Sequence, residues 1–75
     1  MYNISKGVLM RSGEIWKKVS NQSVGIIIED YDRKEKMWTV QHVDFIDNRT
    51  VRSYIFEKAK EDKIRKLYFK KTRNL

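Results

Sequence analysis

The sequence contains no cysteine and only one histidine, His42. Without cysteine the chain has no disulfide, no thiolate zinc site and no thiol nucleophile. One histidine cannot supply the two or three imidazoles of the usual zinc site. Phosphate-binding glycine loops are also missing, since neither GxGxxG nor GxxxxGK occurs. We therefore expect a protein that is not an enzyme and that carries no metal or other cofactor.

Long hydrophobic runs are missing as well. The longest apolar block is residues 24–28, far short of the roughly 18–20 residues that cross a bilayer. Residues 7–10 form a shorter apolar stretch than the roughly 7–15 residues of a secretory signal. We expect a soluble, cytoplasmic protein with no membrane contact.

The 75 residues allow a single small domain, 1–75, in which proline is absent and the three glycines lie in the first third. The chain is 40% hydrophobic and 36% charged, a composition typical of a globular protein rather than a disordered one. Short apolar runs rich in β-branched residues alternate with polar turns, which favours antiparallel strands. The expected strands are Ile15–Val19, Val24–Tyr31, Met37–Ile46 and Thr50–Phe56.

The pattern changes after Phe56. Residues 57–69 are rich in Lys, Glu and Arg, which are good helix formers, and the apolar positions among them can share one helical face. A strand over 64–70 is the alternative, because Leu67 and Phe69 also alternate with charged residues. The expected organisation is a sheet over 6–56, a basic helix over 57–69 and a flexible basic tail over 70–75. The fold class is mainly β: a small barrel or a curled antiparallel sheet of four or five strands with a C-terminal helix.

Three segments carry a family resemblance: Gly13-Glu14-Ile15-Trp16, then residues 24–28, then Met37-Trp38-Thr39-Val40. Their rhythm resembles the strands of SH3-like small β-barrels, including the Tudor and KOW groups and many small phage-encoded proteins. The likeness covers about Lys6 to Phe56. It implies a binding module whose ligand is RNA, DNA or protein. A Tudor-type cage would draw on the aromatic residues Trp16, Tyr31, Trp38, Phe45 and Tyr54.

The positive charge is concentrated at the C-terminus. The formal net charge is +7, and residues 63–75 contain six cations and no acid. Clustered cations beside an aromatic ring can contact phosphates while the ring stacks on a base. We expect phosphate contacts from Lys63, Arg65, Lys66, Lys70, Lys71 and Arg73, with stacking by Tyr68 and by Trp16. Lys17, Lys18 and Arg52 would form a secondary basic patch.

Other candidate residues have structural explanations. Trp38 lies in the best-patterned strand and is expected in the core. Residues 29–32 are acidic but lack the glycine and distal glutamate of a calcium loop, so no metal site is expected there. His42 and Asp44 lie two residues apart, on one strand face, but the chain offers no recognisable serine nucleophile turn. We expect His42 to be partly buried and hydrogen-bonded.

The sequence thus predicts non-catalytic nucleic-acid binding through a basic C-terminal surface, with RNA and DNA both open. The alternative is an adaptor or inhibitor, of the kind phages encode, that docks on an acidic surface of a larger host protein. Self-association through an exposed sheet edge is a further expectation, since small barrels use such edges to form oligomers.

Overall fold

One antiparallel sheet makes up most of the structure. The computed structural model describes residues 9–71. Within them the strands follow the order β4-β3-β2-β1-β5, so that the first strand pairs with the last. The elements are β1 (Ile15–Lys18), β2 (Val24–Asp32), β3 (Met37–Ile46), β4 (Arg49–Ala59), α1 (Glu61–Leu67) and β5 (Tyr68–Lys70). The expected mainly-β class, a curled sheet with a C-terminal helix, is confirmed.

The two long hairpins turn where the sequence supplies turn residues. Between β2 and β3, the carboxylate of Asp32 accepts the backbone N–H groups of Lys34 and Glu35 at 2.9 and 3.1 Å. Between β3 and β4, Asp47 and Asn48 both have positive φ, 52° and 65°. Such a pair forms the two-residue turn that matches strand twist, and Asp and Asn tolerate it best among residues with a Cβ.

The two faces of the sheet carry separate hydrophobic clusters. On the inner face, buried side chains from β1, β2 and β3 pack with Ile64 of α1, which is only 1% exposed. On the outer face a smaller cluster joins β2 and β3 and packs against Ile15. The inner cluster contains Met10, Trp16, Ile26, Ile28, Trp38, Val40 and Ile64, and the outer one Ile27, Val43 and Phe45. Trp38 therefore lies in the core, as predicted.

The C-terminal third differs from the expected 57–69 helix. β4 extends to Ala59, because Glu57, Lys58 and Ala59 pair with residues of β3. The helix spans only Glu61–Leu67, and Tyr68–Lys70 forms β5 against β1. The alternative of helix or strand over 64–70 is thus resolved as helix first and strand second.

The predicted start of the flexible tail, at residue 70, is too early in the chain. Lys70 belongs to β5, and the Lys71 backbone N–H donates to the Ile15 carbonyl at 2.8 Å. The rest of that tail, including Arg73, and residues 6–8 of the expected sheet lie outside the described residues.

Irregular pairing lets the sheet curl. The β2–β3 register shifts between Ile28 and Asp30, and the β3–β4 register shifts between Gln41 and Val43. Such bulges bend a strand and increase its twist. Helix α1 then connects β4 to β5 and lays Ile64 over the inner face. This connection brings the C-terminal cations beside those of β1.

Candidate functional site

The pairing of β5 with β1 brings the C-terminal basic segment next to two residues of the expected secondary patch, Lys17 and Lys18. Lys18 lies opposite Tyr68, and Lys17 lies opposite Phe69. The C-terminal basic segment is thereby held next to the Lys17-Lys18 pair. Segments 14–18 and 61–71 together contain seven cations and only three acids. We call this region the basic surface; its cations are Lys17, Lys18, Lys63, Arg65, Lys66, Lys70 and Lys71.

Two of these cations are held by ion pairs. Lys70 Nζ lies 3.1 Å from one carboxylate oxygen of Glu14, whose side chain is only 11% exposed. Arg65 pairs with Glu61 one helical turn away, at 2.8 Å. Lys70 and Arg65 therefore have local structural roles. In the described range 9–71, Lys18, Lys63, Lys66 and Lys71 take part in no ion pair.

Glu14 is the carboxylate that links β1 to the basic C-terminal segment. Burial acts to raise the pKa of its carboxyl, but hydrogen bonds from the Arg11 backbone, the Trp16 indole and the Lys70 ammonium outweigh burial and lower it. The indole N–H of Trp16 donates to Glu14 Oε1 at 3.1 Å, while Lys70 contacts Oε2. One ionised carboxylate thus ties β1 to β5.

Trp16 does not have the stacking position that the sequence suggested. It is 4% exposed and belongs to the inner cluster. The Arg65 guanidinium lies 5.6 Å from its ring centroid, which is within cation–π range. Because the ring is enclosed by the core and by Arg65, it offers no open surface to a base. Trp16 is a core residue, and the expected stacking role is corrected.

Phe69, rather than Tyr68, presents the exposed ring. Tyr68 is half-buried against the inner cluster, and burial, together with the nearby Glu57 charge, raises the pKa of its hydroxyl. Phe69 is 38% exposed and lies opposite Lys17. The alternation of Leu67 and Phe69 was the sequence signal for this strand. Because residues 57–69 were interpreted as a helix, the sequence analysis did not identify Phe69 as the exposed ring.

The secondary patch is divided between two faces. Since neighbouring residues of a strand point to opposite faces, Lys17 lies on the outer face and Lys18 on the inner face. Arg52 shares the outer face with Lys17, in the register row Phe69–Lys17–Gly25–Val43–Arg52. Lys17 Nζ lies 5.0 Å from the Phe45 ring centroid. Lys17 and Arg52 are thus separated by β2 and β3, and Lys18 lies on the opposite face of the sheet.

A pocket of about 230 Å³ opens beneath α1 on the inner face. Its floor is apolar, and its rim carries cations, a carboxylate and an imidazole. His42 Nε2 and Glu57 Oε1 lie 2.6 Å apart at this rim. The lining residues are Lys18, Ile26, Val40, His42, Glu57, Ala59, Lys63, Ile64, Leu67 and Tyr68. Sequence analysis missed this pocket because it depends on how α1 crosses the sheet.

The remaining candidates lie in structural environments. His42 is half-buried and pairs with Glu57, as expected for a hydrogen-bonded histidine. In the acidic segment, Asp32 serves the hairpin turn and pairs with Lys58 at 3.0 Å. No group of three or more potential metal-ligating side chains occurs among residues 9–71. Of the aromatic residues considered for a methyl-lysine cage, only Tyr31 and Trp38 form a ring pair within that range, with centroids 5.0 Å apart.

The described helix is neither long nor apolar enough to cross a membrane. Comparison of the chain with protein-family models, with curated proteins and with solved structures returned no match.

Proposed function

We propose that this protein is a small SH3-like β-barrel domain that binds nucleic acid, RNA or DNA, through the basic surface. The strand order and the curl of the sheet are compatible with such a barrel. The observation that carries the functional proposal is the β1–β5 pairing, which gathers seven cations around three acids. A surface of this charge attracts polyanions.

Within this surface we assign phosphate contacts to the four lysines that have neither an ion pair nor a ring contact in the described chain: Lys18, Lys63, Lys66 and Lys71. Phe69 supplies a partly exposed ring beside Lys17. Base–aromatic stacking and phosphate contacts together are typical of single-strand binding with weak sequence preference. Lys70 and Arg65 contribute positive charge to this surface while their ion pairs with Glu14 and Glu61 hold them in place.

A second candidate function is suggested by the edge strand β4. Tyr54 is 78% exposed, and the neighbouring side chains of Ile55 and Phe56 are also open to solvent. Exposed aromatic residues beside an arginine, here Arg52, are typical anchors of protein interfaces. This apolar segment favours the adaptor alternative, in which a larger protein with an acidic surface is the partner.

Fluorescence anisotropy of labelled oligonucleotides, measured from about 50 to 300 mM salt, tests the nucleic-acid proposal. With four phosphate contacts to a single strand, log K should fall against log salt with a slope of about −3. The double variant Lys63→Ala/Lys66→Ala should bind more weakly and reduce the slope by about 1.4. Its matched control is Arg33→Ala/Lys34→Ala, which removes the same charge from the exposed β2–β3 turn.

Equal losses in the two double variants would show that net charge, not the basic surface, causes binding. Absence of binding at the lowest salt would overturn the proposal. The adaptor function then makes its own prediction: a protein partner should remain bound after nuclease treatment, and Tyr54→Ser should release it.

A further inference from the structure

We propose that the pocket beneath α1 accepts one unpaired cytosine base of a bound single strand. This inference rests on the proposed function and names the part of the nucleic acid that the inner face reads. The pocket is contiguous with the basic surface, because Lys18, Lys63 and Tyr68 belong to both regions.

The size and floor of the pocket suit a single aromatic ring. Its volume of about 230 Å³ lies below the roughly 300–1,000 Å³ of sites for drug-sized ligands. Ile26, Val40 and Ile64 pack together as the floor, and the more exposed Leu67 and the half-buried Tyr68 lie beside it. A flat base that has left its stack can lie against apolar and aromatic side chains of this kind.

The Glu57 carboxylate favours cytosine over uracil in this pocket. Its side chain is half exposed, and Oε1 is engaged by His42 at 2.6 Å. Within residues 9–71, Oε2 has no hydrogen-bond partner. A carboxylate accepts the exocyclic amine of cytosine. Uracil has the same ring size but carries a carbonyl at that position, so its oxygen would face the carboxylate without a proton between them.

The cations at the rim fit the phosphates beside that base. Lys18 approaches from β1 and Lys63 from α1, and neither forms an ion pair in the described range. The Tyr68 hydroxyl adds a neutral hydrogen-bonding group, since burial and the Glu57 charge raise its pKa. The pocket therefore combines an apolar floor, an acceptor for an amine and donors for phosphate, which match the base, the exocyclic amine and the phosphate of a cytidine nucleotide.

Cytidine and uridine monophosphates are the matched probes. Titrations followed by NMR should show both nucleotides shifting the methyl signals of Ile26, Ile64 and Leu67. Cytidine monophosphate should bind about tenfold more tightly, as expected for one hydrogen bond to a charged acceptor worth at least about 1.4 kcal/mol. Anisotropy with 12-residue oligo-C and oligo-U RNA should give the same preference.

Two variants and one control separate recognition of the base from electrostatic attraction of the phosphate. Glu57→Ala should bring the two nucleotides to equal affinity, while Glu29→Gln, a carboxylate change elsewhere on the sheet, should keep the preference. Lys18→Ala/Lys63→Ala should weaken both nucleotides by the same factor and leave their ratio unchanged. The wild-type comparison needs no variant and stands even if one of these fails to fold.

The outcomes distinguish this inference from the proposed function. Salt-dependent binding of both RNAs with equal affinity and no shift of the pocket methyls would overturn the inference and leave the proposed function in place. Pocket shifts with cytidine monophosphate, without binding of either oligonucleotide, would support the pocket and overturn the wider function. A preference that survives Glu57→Ala would remove Glu57 from recognition and overturn the assignment.

Discussion

At the scale of single residues, Gly25 decides how closely β1 can approach the outer cluster. A Cβ atom added there would collide with the Trp16 carbonyl oxygen and would lie 2.6 Å from Phe45 Cε2. Phe45 thus lies over the backbone of Gly25, where no side chain intervenes, and Lys17 Nζ lies 5.0 Å from the centroid of the same ring. The absence of a side chain permits this layer.

Gly25→Ala is therefore expected to destabilise the fold by about 3 kcal/mol, at the upper end of the usual cost of overpacking. Chemical denaturation with urea measures the loss. Gly13→Ala is the comparison, because nothing lies near its added Cβ but its φ is +92°; the cost of that conformation alone is about 1–2 kcal/mol. Equal losses at the two glycines would contradict the packing argument.

At the scale of the elements, β4 is interrupted by a bulge around Tyr54. The β3–β4 register passes from Gln41–Phe56 to Val43–Arg52, which leaves three residues of β4 opposite one of β3. Ser53 closes the gap: its hydroxyl donates to the His42 carbonyl at 2.7 Å and accepts the Ile55 N–H at 3.3 Å. The bulge breaks the regular edge of β4, and β5 is only three residues long. Both features oppose strand addition at the sheet edges.

Tyr54 occupies this bulge with φ at +62°, a left-handed conformation that costs most residues about 1–2 kcal/mol. Its ring is largely exposed, so packing offsets little of that cost. Tyr54→Asn should stabilise the fold by about 0.5–1 kcal/mol in urea denaturation, since Asn tolerates this region. Ile55→Asn, on the neighbouring residue, should give no gain. A loss of stability in Tyr54→Asn would mean that the ring makes contacts that outweigh the strain.

The elements also show where sequence reasoning succeeds. Met37–Ile46 alternates and lies between two partner strands, so local pattern and tertiary pairing agree, and its predicted bounds match β3. The charged residues 57–59 favour a helix locally, but pairing with β3 holds them in β4. β5 depends on contact with β1, whose paired residues lie 50 to 54 positions earlier in the chain. No local pattern specifies such a contact.

The candidate site was likewise predictable where it depends on local sequence and unpredictable where it depends on tertiary contacts. The basic character of the C-terminal segment was evident from composition, but which cations are occupied depends on Glu14 and Glu61. The sequence analysis assigned stacking to Tyr68, whereas the structure exposes Phe69. This difference arises because residues 68–70 form a strand and not the end of the expected helix. The pocket beneath α1 requires the tertiary crossing and had no sequence signal.

At the scale of the whole molecule, ion pairs connect elements that are distant in the chain. Lys58 of β4 contacts Asp32, the last residue of β2, at 3.0 Å and Glu35 of the β2–β3 turn at 3.3 Å. Hydrogen bonding from Lys58 lowers the pKa of Asp32. Lys70 and Glu14 similarly connect the two ends of the described chain. The exposed Lys58 pair is worth little, whereas the Glu14 carboxylate is largely enclosed and should dominate the response to acid.

The lowered pKa of Glu14 sets the direction of that response. The folded state binds the proton of this carboxyl more weakly than the unfolded state does. Its contribution is therefore complete above the unfolded pKa, about 4.3 for glutamate, and is lost as the pH falls through the lower folded value. Glu14→Gln should cost about 1–3 kcal/mol at pH 7, because Lys70 and the Trp16 indole lose a charged acceptor.

In the same variant, stability should decline less steeply between about pH 5 and pH 3, because residue 14 then carries no carboxyl that can be protonated. Urea denaturation at a series of pH values measures both effects, with Glu29→Gln as a control that removes a carboxylate without an ion pair in the described chain. If Glu14→Gln lost stability at pH 7 but kept the acid slope of the parent protein, another carboxyl would control acid unfolding. The connection between β1 and β5 would then depend on backbone pairing, and the basic surface should survive below pH 4.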